Sequence, residues 1–242
     1  MSLVQDVLSG GRHHYFTGEV YSGGGFMGVK MGATIKSYFF RQSMLVFSGM
    51  PVLIWAMGNL FERSLLKESL SVMTILAFYQ LIGQFFWART NRSIVAKLKM
   101  SKVINYHKII GYTFVIILFF HPLYLVLPRF FESGVSPVDA FITIISTLNQ
   151  GVVLGIMAWC LMLALGITSL ARKKLPMKYT TWRFFHGLLA MLFISIAAWH
   201  AIDLGRHTDL AMSILISMLT AGGILLFLKT HTLKIFKKTS EV

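Results

Sequence analysis

The chain has 242 residues, of which 55% are hydrophobic and 13% charged, with a mean hydropathy of +0.68. Ordinary soluble domains carry roughly a quarter charged residues, so the composition excludes that class and indicates one membrane domain with short loops. A net charge of +14 would suggest nucleic acid in a soluble protein, and a single cysteine, Cys160, rules out an intrachain disulfide framework or a Cys-based metal site.

In chain order, residues 1–37 are polar and Gly-rich, with Gly10–Gly11 and Gly23–Gly24–Gly25, and read as an irregular cytoplasmic segment. They contain no apolar h-region of a cleavable signal peptide. His13 and His14 lie there without further ligands and are given no role. Six apolar segments follow, near 39–60, 70–88, 106–127, 147–170, 184–203 and 210–228. Each is close to the ~20 residues that a helix needs to cross a bilayer. Gln80 and Gln84 interrupt the second segment and are expected to face a bundle interior, where a partner can satisfy them. Cys160, inside the fourth apolar run, is expected to be a small packing residue. Residues 38–230 thus form a six-helix transmembrane domain, and 231–242 a short basic cytoplasmic tail.

The loops carry the orientation. Between the second and third segments lie Arg89, Arg92, Lys97, Lys99, Lys102 and Lys108, and between the fourth and fifth Arg172, Lys173, Lys174, Lys178 and Arg183, with no acids in either loop. With six crossings these share a side with both termini, giving 19 basic and 3 acidic residues there against 4 and 6 opposite, a balance of +16 to −2 within the net +14. The positive-inside rule places both termini in the cytoplasm. The expected fold is an all-α integral membrane protein, a six-transmembrane-helix bundle in the cytoplasmic (inner) membrane. Topology accounts for the basic face, which would also suit an acidic soluble partner; no nucleic acid is needed.

Four histidines stand inside the apolar segments: His107 and His121 on the third, His186 and His200 on the fifth. Each pair is 14 residues apart. At 100° per residue that is roughly 40° short of four full turns, so each pair lies along one helix face, about 21 Å apart in height. The two helices run in the same direction, so His107 is level with His186 near the cytoplasm and His121 with His200 near the outside. Low-spin haem iron takes one axial ligand from each side, often a neutral imidazole. Histidines within membrane segments are costly and usually functional. Two b-type haems stacked across the bilayer are therefore expected.

Phe114 and Phe193 each follow an inner histidine by seven residues, on the ligand face between the two haem levels, where an aromatic ring could shorten the electron path. Gly111, one turn from His107, and Gly187, next to His186, would let a bulky ring approach the backbone. Haem propionates need cationic neighbours: Lys102, Lys108 and Arg183 are candidates near the inner pair, Arg129 and Arg206 near the outer. Arg206 and His207 either line an outer acceptor site or are ordinary loop residues.

The stretch HKIIGYTFVIILFFHPLYLVL (107–127), with His121–Pro122, and the stretch YTTWRFFHGLLAMLFISIAAWH (179–200), with Tyr179-x-x-Trp182-Arg183-x-x-His186, resemble the ferric reductase-like transmembrane domain. That domain occurs in bacterial flavin-linked oxidoreductases, NADPH oxidases and ferric-chelate reductases, and the resemblance covers about residues 38–230. It implies six helices, two stacked haems and the four matching histidines as axial ligands. No G-x-G-x-x-G fingerprint follows a strand in this sequence, so electrons are expected from a separate flavoprotein or other redox subunit, or from the quinone pool. The expected role is a dihaem b-type cytochrome, the haem-binding membrane subunit of an oxidoreductase system. One alternative is a quinone-linked cytochrome b anchor subunit of a larger redox enzyme. The other is a non-redox membrane transporter whose histidines bind metal or relay protons.

Overall fold

A computed structural model describes residues 41–58, 64–87, 99–131 and 134–239, with side chains to residue 229. The predicted segment 1–37 and the extreme C-terminal residues lie outside the described ones. No strand occurs among the described residues, and five helices are long and apolar enough to cross a membrane. The chain is a multi-pass, all-helical membrane protein.

The first predicted span, near 39–60, is described as a helix over 41–56, with a π-turn at Leu45–Gly49 leading into α1 (Met50–Ala56). Sixteen residues rise only about 24 Å, short of the ~30 Å hydrocarbon core. Pro51 accounts for part of the irregularity, because it has no N–H for the carbonyl of Phe47. The Gln80 side chain meets this helix instead, donating to Ser48 Oγ at 2.8 Å and to Phe47 O at 3.4 Å. Gln80 thus has the interior partner its sequence position called for. Gln84 is also buried, and its amide has no hydrogen-bond partner among the described residues.

α2 (Leu65–Phe86) begins five residues before its predicted start, because the charged residues Lys67 and Glu68 are carried inside its first turns. Glu68 is tolerated there through its partners. Trp55 Nε1 donates to its Oε2 at 3.1 Å, and His207 Nε2 stands 3.1 Å from the same oxygen without hydrogen-bond alignment. The three residues clasp α1, α2 and the loop after α7 at one end of the bundle.

α3 (Met100–Phe119) is where a single predicted span, 106–127, divides. Pro122 has no N–H for Leu118 O and its ring crowds that carbonyl. The regular ladder stops with Phe120 N on Ile116 O at 3.3 Å, and Leu123 N and Tyr124 N then both turn to Phe120 O, at 2.9 and 3.2 Å. A separate short helix, α4 (His121–Val126), follows, then a 3₁₀ turn at Leu127–Phe130. α5 (Pro137–Ser146), which lies outside the six predicted segments, is apolar but too short to span. Its start is set by Ser136, which accepts from Asp139 N at 3.1 Å, and by Pro137 at the first helical position. Asn149 caps α6 (Gln150–Leu170) through Val152 N at 2.9 Å. α7 (Tyr179–Leu204) and α8 (Leu210–Thr239) complete the bundle.

The core gathers Ala77, Phe78, Tyr79, Leu81 and Ile82 of α2 into one cluster with Ala158, Met162 and Leu165 of α6, Ile194 and Ala197 of α7, and Met212 and Ile216 of α8. The Tyr79 hydroxyl, fully buried, donates to Met212 Sδ at 3.1 Å. α3 buries only Val103. Cys160, expected in the packing, is exposed on α6. It sits two residues from buried Ala158 and Met162, and that offset turns it to the opposite face of the helix.

Candidate functional site: two histidine pairs

His107 sits two turns into α3, and His186 two turns into α7. Their ring centroids are 6.4 Å apart and their planes cross at 76°. Two imidazoles bound to one metal ion through ring nitrogens at about 2 Å each stand roughly 6 Å apart, centroid to centroid. Both Nδ1 atoms are buried without a hydrogen-bond partner among the described residues. A Cβ built on Gly111, one turn along α3 from His107, meets no atom within 4 Å. The separation and the open space beside Gly111 both fit a flat macrocycle held between α3 and α7. Among the described residues no group of three or more His, Cys, Asp or Glu gathers as a metal site; haem iron needs only a pair.

Gly187 has a different use from the one its position suggested. A Cβ there would collide with the Phe227 ring of α8, so this glycine lets α8 approach α7.

His186 is held by aromatic stacking. Tyr179, Trp182 and His186 recur at spacings of three and four, so they share one face of α7. The Trp182 ring lies 5.0 Å from the His186 ring at 23°, and Tyr179 continues the stack at 5.9 Å and 17°. Trp182 Nε1 donates to Thr168 O of α6 at 3.2 Å, and the Arg172 guanidinium lies against both outer rings, 4.1 Å from the Tyr179 centroid and 5.2 Å from that of Trp182. Sequence reading used Trp182 only as part of a motif and Arg172 only as a topology charge; the three-and-four spacing was the available signal for the stack.

The second pair is built differently. His121 opens α4 just past the break at Phe120, and its Nδ1 is 3.5 Å from Thr74 Oγ1 on α2, a hydroxyl that itself donates to Leu70 O. His200 Nδ1 lies 2.8 Å from Gly151 O at the start of α6. The 14-residue arithmetic applies to α7, which is unbroken between His186 and His200. On the other side the pair is divided between α3 and α4, so His121 owes its placement to the Pro122 break as well as to helical phase.

Phe193 is buried in the core, and Phe114 packs against the same cluster. Arg183 and Arg129 are half-buried, whereas Lys102, Lys108 and Arg206 are exposed. Of the two loop candidates near the outer pair, His207 is committed to Glu68.

Residues 73–197 match the family described as ferric reductase like transmembrane component. An uncharacterized protein of Archaeoglobus fulgidus is 44% identical over 159 residues, 66% of this chain and 87% of that protein. No solved structure matches.

Proposed function

This chain belongs to the ferric reductase-like transmembrane component family, and we propose that it is a dihaem b-type cytochrome of the cytoplasmic membrane. In this reading it carries electrons from a cytoplasmic donor, a separate flavoprotein or a quinol, to an acceptor at the outer face. The observation that carries the reading is the inner pair, two half-buried imidazoles on facing helices with ring centroids 6.4 Å apart. His107 and His186 would hold the inner haem, and His121 and His200 the outer one. Bound haem supplies reversible one-electron chemistry at iron.

The chain's own residues do the rest. Neutral imidazoles from two facing helices set the two levels, and Trp182 fixes the plane of His186. Phe193 and Phe114 fill the space along the ligand faces between the levels, and the surrounding core excludes water. Arg183, with Lys102 and Lys108, would balance propionate charge at the inner level, and Arg129 with Arg206 at the outer. The charge asymmetry of the loops supports six crossings with both termini in the cytoplasm, the helix at 41–56 belonging to the first.

The test is a dithionite-reduced minus oxidised spectrum of detergent-purified protein, with haem quantified per chain. Two b haems are expected in the wild type, falling to about one in His121→Ala and in His200→Ala. Well-folded wild type without a Soret band would remove this reading and bring a transporter forward.

A further inference from the structure

α6 carries none of the four histidines, yet it meets the ring of one of them at two points a turn apart. Gly151 O is 2.8 Å from His200 Nδ1. A Cβ built on Gly155 would lie 2.6 Å from His200 Cε1, 2.8 Å from Nδ1 and 3.2 Å from Nε2, so any side chain there occupies the position of the imidazole. A Cβ on Gly151 would run into Asp203 Oδ2 and Leu204, one turn further along α7. The two glycines form a small-xxx-small notch of the kind that lets membrane helices approach closely, and here the notch holds a ring.

We propose that the Gly151–Gly155 notch is the seat of His200, fixing both the orientation and the tautomer of that side chain. A carbonyl oxygen only accepts, so the proton of the neutral imidazole sits on Nδ1, and the lone pair is left on Nε2 as the ligand atom. Gly155 lets the ring lie against α6, where that bond can form. Among the described residues none of the other three histidines has such a carbonyl: Thr74 offers His121 a hydroxyl at 3.5 Å, and the inner pair has no Nδ1 partner there. The notch therefore acts on one level only. A hydrogen bond on the non-ligating nitrogen makes the imidazole a stronger donor, which favours ferric over ferrous iron and lowers the potential at that level. The inference rests on the proposed ligand role of His200 and adds the positioning residues that set it.

The experiment uses full-length purified protein with Gly155→Ala, and Gly166→Ala as control. Both gain the same helix propensity, but a Cβ at Gly166 meets its nearest neighbour, Val115, only at 3.9 Å. In an optical redox titration, Gly155→Ala should raise one of two midpoint potentials, or remove that component, and leave the other in place; Gly166→Ala should change neither. A thermal double-mutant cycle gives a second readout that needs no haem. Gly155→Ala should lower Tm by several degrees in the wild type and by little in a His200→Ala background, where the colliding ring is gone. Unchanged potentials in Gly155→Ala with two haems bound, or an equal Tm loss in both backgrounds, overturns the seat. Absence of haem from the wild type overturns the ligand reading instead, and the Tm cycle still decides whether the notch holds the ring.

Discussion

Trp182 and Glu68 are two single residues whose partners make specific demands. Trp182 presses on His186 with one face and anchors its indole N–H on Thr168 O. Trp182→Leu removes both contacts, whereas Trp182→Phe keeps a ring and loses only the anchor. Stacking of this kind is worth about 0.5–1.5 kcal/mol beyond area burial, enough to hold an imidazole in one plane. In a redox titration with electron paramagnetic resonance, Trp182→Leu should shift the inner component and leave the outer one in place, with Trp182→Phe intermediate. Equal shifts in both components would mean the stack supports the bundle rather than His186. Glu68 is buried beneath Trp55 and His207. Glu68→Leu leaves the indole N–H without its acceptor, at roughly 1–3 kcal/mol for the orphaned group, and removes the carboxylate that stands 3.1 Å from His207 Nε2. A fall in Tm of several degrees, with haem content unchanged, is the outcome to look for; Glu68→Gln, which keeps an acceptor for Trp55, should fall less.

At the scale of elements, the break between α3 and α4 sets the outer pair. Pro122→Ala restores an N–H to Leu118 O and removes the ring that crowds it, so the helix can run straight through His121. Backbone stability should hold or improve, while His121 swings off Thr74 and away from His200. The expected result is loss of about one haem per chain without loss of Tm; two retained haems would show that helical phase alone places His121. The same element shows what the sequence discloses. Hydropathy and 14-residue spacing were enough to find five long spans and to bring His107 opposite His186, because both depend on one helix period and on burial. His121–Pro122 was visible as a motif, but its consequence was not, because which carbonyls take over after a proline depends on the next turn of chain. The boundaries of α2 shifted for a related reason: Lys67 and Glu68 read as a loop until Trp55 and His207, distant in sequence, supply partners. The seat of His200 was hidden further still, since Gly151 and Gly155 have no side chains to signal a role and acquire one only when α7 packs on α6.

For the whole molecule, orientation decides which of the two proposed haem levels is the inner one. Electrostatics gives the argument: with the six crossings proposed, a side bearing 19 basic and 3 acidic residues would oppose one with 4 and 6, and cationic loops are retained on the cytoplasmic side. The short helix α5 and the exposed cap region before α6 lie on the acidic side, while the α6–α7 connection, with Arg172, Lys173, Lys174 and Lys178, lies on the basic one. The only native thiol, Cys160, is exposed on α6 and must be removed first. In a Cys160→Ala background, Ser146→Cys should react with a membrane-impermeant maleimide on intact cells, and Lys174→Cys only after permeabilisation. The reverse pattern would place His121 and His200 on the cytoplasmic side and turn the proposed electron flow inward. Neutralising Arg172, Lys173 and Lys174 together should leave part of the population inverted if the charge asymmetry is what holds the orientation. Unchanged labelling in that triple variant would assign the orientation to the remaining basic loops, chiefly the six cations between Arg89 and Lys108.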